Sequence, residues 1–206
     1  FGAWERSIHA FALLGFPTTI IARPLDNHTV NEELVGIRDR HGNRTMSKFG
    51  AIREQMRLLR GGESLGIVPD QDAGLAARGV FVRFFDRWCK VVEGPAALAI
   101  QYGAPILIHL AVRHGMSMYS SQFISAPIRT EGLDPRNVNH VTHVMQAYHN
   151  VLETFVRAFP EQYIWVHRKW RTRPLGEPGA DPRALDRQPQ AEARSPYLGC
   201  PVQAMK

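Results

Sequence analysis

Apolar positions along the chain alternate between two spacings, and that alternation predicts the elements. In residues 4–14, Trp4, Ile8, Phe11 and Ala12 share one helical face, and Gly15 follows where a left-handed cap is expected. Residues 18–22 are β-branched and apolar, the pattern of a buried strand. A second helix is predicted over 30–40 with Val30, Leu34 and Ile37 as its stripe. A third is predicted over 49–60, with Ile52, Met56 and Leu59 inward and Gly61-Gly62 closing it. Residues 64–68 read as a strand, and the apolar stretch Val80-Phe81-Val82-Arg83-Phe84-Phe85 suits another. Next come a helix over 94–102 capped by Gly103, a central strand over 105–112 and its neighbour over 119–124. The longest helix is predicted over 137–159, where Val138, Val141, Met145, Tyr148, Leu152, Phe155 and Phe159 keep helical spacing until Pro160.

Strands alternating with helices imply an α/β fold, layered, with a largely parallel or mixed central sheet flanked by helices. One domain is expected over residues 1–174, and 175–206, rich in prolines, alanines and charges, as a disordered extension. In layered α/β folds the carboxyl ends of strands line the ligand crevice. Arg23, after the first predicted strand, and Asp70, after the 64–68 strand, fall at two such ends.

Composition narrows the possibilities. The 206 residues are 44% hydrophobic and 21% charged, enough for a real core. A formal charge of +6 suits an anionic partner, such as a phosphorylated lipid at an acidic membrane surface or an acidic carrier protein. Nucleic acid is not favoured, since no basic patch is interleaved with exposed aromatics. No P-loop or G-x-G-x-x-G occurs, so no nucleotide cofactor is expected. Cys89 and Cys200 lie far apart, which indicates neither a disulfide framework nor a zinc site. His140, His143 and His149 share the long helix without a metal-binding pattern and are expected on its surface; His109, inside an apolar strand, is expected in the core. The most apolar region, 95–112, is broken by Gln101, Gly103, Pro105 and His109, so it reads as a buried helix and strand and not as a membrane span.

Four blocks carry the candidate chemistry. They are Phe1-Gly2-Ala3-Trp4-Glu5; Arg23-Pro24-Leu25-Asp26-Asn27; Pro69-Asp70-Gln71-Asp72 with Gly79-Val80-Phe81-Val82 behind it; and the run from Trp165 through His167, Arg168, Lys169, Trp170 and Arg171 to Pro174. In order and spacing they resemble the lipid A biosynthesis acyltransferases, the late acyltransferases that esterify hydroxyacyl chains of the lipid A precursor. In that family the first block reads H-F-G-x-W-E. The resemblance therefore implies that the chain begins one residue after its own general base, and that residues 1–206 alone bind but hardly catalyse.

It also implies a mechanism and a fold of the glycerolphosphate-acyltransferase type. Histidine near neutral pH takes a hydroxyl proton, and a carboxylate on its other nitrogen fixes the tautomer. The catalytic set implied is Glu5 behind the histidine, Arg23 on an acceptor phosphate or developing charge, and Asp70 orienting Arg23 through a bidentate pair. Substrate contacts are implied at Phe1, Gly2, Trp4, Gln71, Phe81, Arg168 and Arg171, with no cofactor and no metal. From the residues alone Glu5 also fits a helix start, the Arg23–Asp70 pair fits a structural bridge, and Phe81 fits either a core or an acyl-chain wall. Arg168, Lys169, Arg171 and Arg173 form a basic run that is a solvated face or, by its place in the family, a contact for anionic head groups. The implied partners are acyl carrier protein as donor, an anionic glycolipid acceptor and the cytoplasmic face of the inner membrane. Arg83, where the family usually has proline, and Cys89-Lys90 depart from the pattern and bear on pocket shape.

Two other readings compete: acyl transfer from acyl-CoA to a lysophospholipid or another glycolipid, and a non-enzymatic basic domain that binds acidic lipid. His28 and Glu33 repeat the five-residue spacing, but nine histidines and nineteen acids among 206 residues supply about one such pair by chance.

Overall fold

A computed structural model describes residues 1–115 and 120–178, and the backbone of 203–204. The rest of the predicted extension, and Tyr119 at the start of a predicted strand, lie outside the described residues. The protein is α/β, with helices packed on short sheets. Strand β1 (Thr19–Ala22) lies between β2 (Arg44–Ser47) and β3 (Leu65–Gly66), parallel to both, with Thr19 opposite Arg44 and Leu65. Helix α1 (Trp4–Leu13) leads into β1, α2 (His28–Arg38) joins β1 to β2, and α3 (Ile52–Arg60) joins β2 to β3.

The core lies elsewhere. Strands β4 (Gly79–Phe84) and β5 (Arg87–Val92) form an antiparallel hairpin, covered by the long helix α5 (Val138–Ala158). Val80, Val82 and Phe84 from β4 meet Val141, Val144, Met145, Leu152, Phe155 and Val156 from α5. Helix α4 (Gly94–Tyr102) adds Ala96 and Ile100, with Gly103 in the left-handed cap foreseen from the sequence. Strand β6 (His109–Arg113) pairs antiparallel with β7 (Ser120–Ile124), and β8 (Gln203–Ala204) adds to β7's far edge.

Several predicted faces are corrected. Val30 and Ile37 of α2 and Ile52 of α3 are exposed, while Arg38, Gln55 and Leu58 turn inward. Helix α3 begins at Ile52, later than the sequence pattern implies. His149, expected on the surface of the long helix, is fully buried, because both its ring nitrogens find partners inside the core. Strands β2 and β5 have no counterpart in the sequence pattern, since Arg44-Thr45-Met46-Ser47 carries little apolar signal and β5 follows an unusual turn.

Phe1 and Gly2 run alongside β6. Gly2 bridges Ala111 in the parallel sense and has φ of 59°. A Cβ at this position would overlap the Ala111 carbonyl oxygen, so only glycine lets the first block lie this close to β6. This bridge sets where Phe1 and Glu5 stand.

Candidate active site

Glu5 sits in the first turn of α1, directly after the Gly2 bridge. Its carboxylate is gripped by Arg38, which donates from Nε to Oε2 at 3.0 Å and from Nη2 to Oε1 at 2.5 Å. The same guanidinium lies 5.1 Å from the Trp4 ring centre. Arg38 is almost buried, whereas the Glu5 side chain keeps 40% of its exposure. Two parallel N–H···O bonds fix the carboxylate plane and leave lone pairs on each oxygen for a further donor. Sequence reasoning missed Arg38. It stands one turn after Leu34, but its partner lies 33 residues away and no local pattern links them.

Asp70 follows β3 and is buried. Its Oδ2 lies 3.7 Å from the backbone nitrogen of Phe1, so the first block and the Pro69-Asp70-Gln71-Asp72 turn meet. The expected Arg23–Asp70 pair is not formed. Arg23 stands at the carboxyl end of β1, with its side chain 64% exposed, and bonds Asp26 at 3.2 Å. A pair three residues apart on one turn needs no reach across the fold.

The last block closes over the Asp70 turn. Tyr163 Oη donates to the Asp70 carbonyl at 3.4 Å and Lys169 Nζ donates to the same oxygen at 2.7 Å. Thr172 donates to Asp72 from its backbone N–H at 3.2 Å and from Oγ1 at 3.0 Å, and the Gly74 N–H adds a third bond at 2.9 Å. Trp170 anchors the block to β4 by donating from Nε1 to the Phe84 carbonyl at 3.0 Å. Lys169, expected on a solvated or lipid-facing run, is 1% exposed, which corrects that expectation. Burial holds its ammonium below the usual lysine range, with the Cys89, Asp70 and Asp72 groups pulling the other way. His149 is lowered to about 3, first by burial and then by the Lys169 charge. Burial pushes the Cys89 thiol up to about 11, so it stays protonated and inert.

Of the expected substrate contacts, Gln71, Arg168 and Arg171 do come together. With Asp72, Val166 and His167 they line an open groove of about 330 Å³, and Gln71 Nε2 donates to His167 Nε2 at 3.1 Å. Phe1 and Phe81 are buried, and Phe1 packs edge-on to Phe155 at 6.3 Å. Gly2 and Trp4 are occupied with Ala111 and Arg38 respectively. His109, expected in the core, is only partly buried, with its ring edge-on to Phe11 at 4.5 Å. His28 is exposed and faces Glu32, not Glu33.

Fold and site together define an α/β protein in which Asp72, His167, Arg168 and Arg171 line one open groove. Residues 1–172 match the family described as bacterial lipid A biosynthesis acyltransferase, and the chain belongs to that family. It is 29% identical over 162 residues to the lipid A biosynthesis palmitoleoyltransferase of Escherichia coli, covering 78% of this chain and 50% of that protein. It is 27% identical over 163 residues to a lipid A biosynthesis acyltransferase of Haemophilus influenzae, with 79% and 49% covered. The lipid A biosynthesis lauroyltransferase of E. coli matches at 29% over 159 residues, with 77% and 50% covered. The chain spans about half the length of these curated relatives.

Proposed function

We propose that the protein transfers a fatty acyl chain from an acyl-carrier-protein thioester to a hydroxyl of a lipid A precursor by general-base catalysis. Family membership supports the acyl transfer and the lipid A-type acceptor. The observation that carries the site is the carboxylate of Glu5, set in the first turn of α1 and fixed by two hydrogen bonds from Arg38 at 3.0 and 2.5 Å. The family motif that the first block resembles supplies a histidine as general base, and Glu5 is the carboxylate that serves it.

In this reading the imidazole takes the proton of the acceptor hydroxyl. The oxygen attacks the thioester carbonyl carbon, the C–S bond breaks, and the thiolate recovers the proton from the imidazolium. Glu5, held by Arg38, keeps a lone pair for the imidazole N–H and stabilises the imidazolium. Arg23, exposed at the end of β1 and bonded there only to the exposed Asp26, meets an acceptor phosphate or the developing oxyanion. Asp70 supplies negative charge beside the base in place of orienting Arg23. Arg168 and Arg171 in the groove, with a net charge of +6, favour a phosphorylated glycolipid at the cytoplasmic face of the inner membrane.

The test assays the full-length protein with acyl carrier protein and coenzyme A thioesters, each against a lipid A precursor and a lysophospholipid. Transfer from the carrier protein to the lipid A precursor is expected. Glu5→Gln should lower kcat by about 10²–10⁴-fold. Transfer only from coenzyme A to the lysophospholipid, or full activity in Glu5→Gln, would sink the reading.

A further inference from the structure

Lys169 is the most deeply buried cation among the described residues, and a lone ammonium in a core is costly unless it is paired. Here its partners are the Asp70 carbonyl at 2.7 Å, His149 Nε2 at 2.9 Å and the face of the Phe84 ring at 5.6 Å. His149, with no exposed surface, donates from Nδ1 to the Met145 carbonyl at 2.8 Å, which fixes the tautomer that leaves Nε2 as an acceptor. The ring is wedged edge-on between Phe84 and Tyr148, at 5.9 Å and 5.0 Å. A chain of hydrogen bonds therefore runs from the backbone of α5, through His149 and Lys169, to the backbone of Asp70, 99 residues before the lysine. A leucine or methionine would fill the same space without burying a charge. What the ammonium adds is a directed bond to the peptide of one particular residue.

We propose that Lys169 and His149 are positioning residues: the ammonium, seated on His149, fixes the peptide of Asp70 and so aims its carboxylate at the backbone of the first block. This rests on the reading above, in which Asp70 works beside the catalytic base. Neither side chain touches substrate. Both act through the turn, and misplacing a reacting group by about 1 Å costs on the order of 10²-fold in rate.

The experiment measures kcat and acceptor KM in the full-length protein for Lys169→Met, Asp70→Asn and the double variant, with circular dichroism and thermal unfolding to establish folding. Lys169→Met is expected to lose about 10²-fold in kcat with acceptor KM within about twofold of wild type. In the double variant the two losses should not multiply, because Lys169 acts through Asp70. A folded Lys169→Met with kcat within about threefold of wild type, or losses that multiply fully, would overturn the inference. Should Lys169→Met fail to fold, His149 decides. The side-chain amide introduced by His149→Gln keeps an acceptor near the Nε2 place and should retain kcat, while His149→Leu should lose about tenfold. A folded His149→Leu with wild-type kcat would overturn it as well. An inactive wild type instead overturns the acyl-transfer reading itself, so the two failures are told apart.

Discussion

His149 shows how far one residue departs from what its neighbours imply. It lies on the same stripe as Val141, Met145 and Leu152, so the helical spacing itself placed it inward. Its polar ring argued for the surface, and the Met145 carbonyl together with Lys169, 20 residues further on, makes burial tolerable. The consequence is a pH dependence of stability. The folded ring is lowered to about 3, whereas an unfolded histidine titrates near its ordinary 6.5. Between those values the unfolded chain binds more protons, so the contribution is complete above about 6.5 and is lost as pH falls towards about 3. The limiting slope is about 1.4 kcal/mol per pH unit. Thermal unfolding of wild type should therefore drop more from about pH 7 to about pH 5 than that of His149→Gln. Equal drops would show that the ring is solvated in the native state.

At the scale of elements, the β4–β5 hairpin and the final block support each other. The hairpin turns at Phe85 and Asp86, with φ of 52° and 57°, a left-handed pair that normally calls for Asn-Gly. Glu153 accepts from the Phe85 N–H at 2.7 Å, and the Arg157 guanidinium lies 4.5 Å from the Phe85 ring centre. Contacts from α5 thus hold a turn that the local sequence does not favour, which is why β5 was not legible. The final block has no regular secondary structure of its own between Tyr163 and Pro174, yet it stitches β4 to the Asp70 turn. Thr172→Val tests that stitch. It removes the hydroxyl bond to Asp72 while keeping shape, and should cost about 1–3 kcal/mol. In urea the midpoint should fall with the slope unchanged. An unchanged midpoint would mean that Asp72 finds an equal partner elsewhere.

At the scale of the whole molecule, the fold brings residues from distant blocks to one groove. The groove beside Asp72 carries Arg168 and Arg171, drawn from a block a hundred residues from the aspartate it adjoins. Arg168→Glu with Arg171→Glu should raise acceptor KM by at least about tenfold, since each basic group near an anionic lipid is worth about 1 kcal/mol. The effect on kcat should stay small, and salt should shrink the difference. A loss confined to kcat would move these arginines from binding to catalysis. The sequence by itself determined the α/β class, the helices at α1, α4 and α5, the strands β1, β4 and β7, and the four blocks that mark the family. Those are local signals, carried by spacing, caps and short motifs. Only the tertiary structure decided that Glu5 pairs with Arg38, that Arg23 turns to Asp26 and not to Asp70, and that Lys169 is sealed in the core. The reason is that a charged side chain's partner is chosen by geometry across tens of residues, and no periodicity along the chain encodes which opposite group will be within about 3 Å.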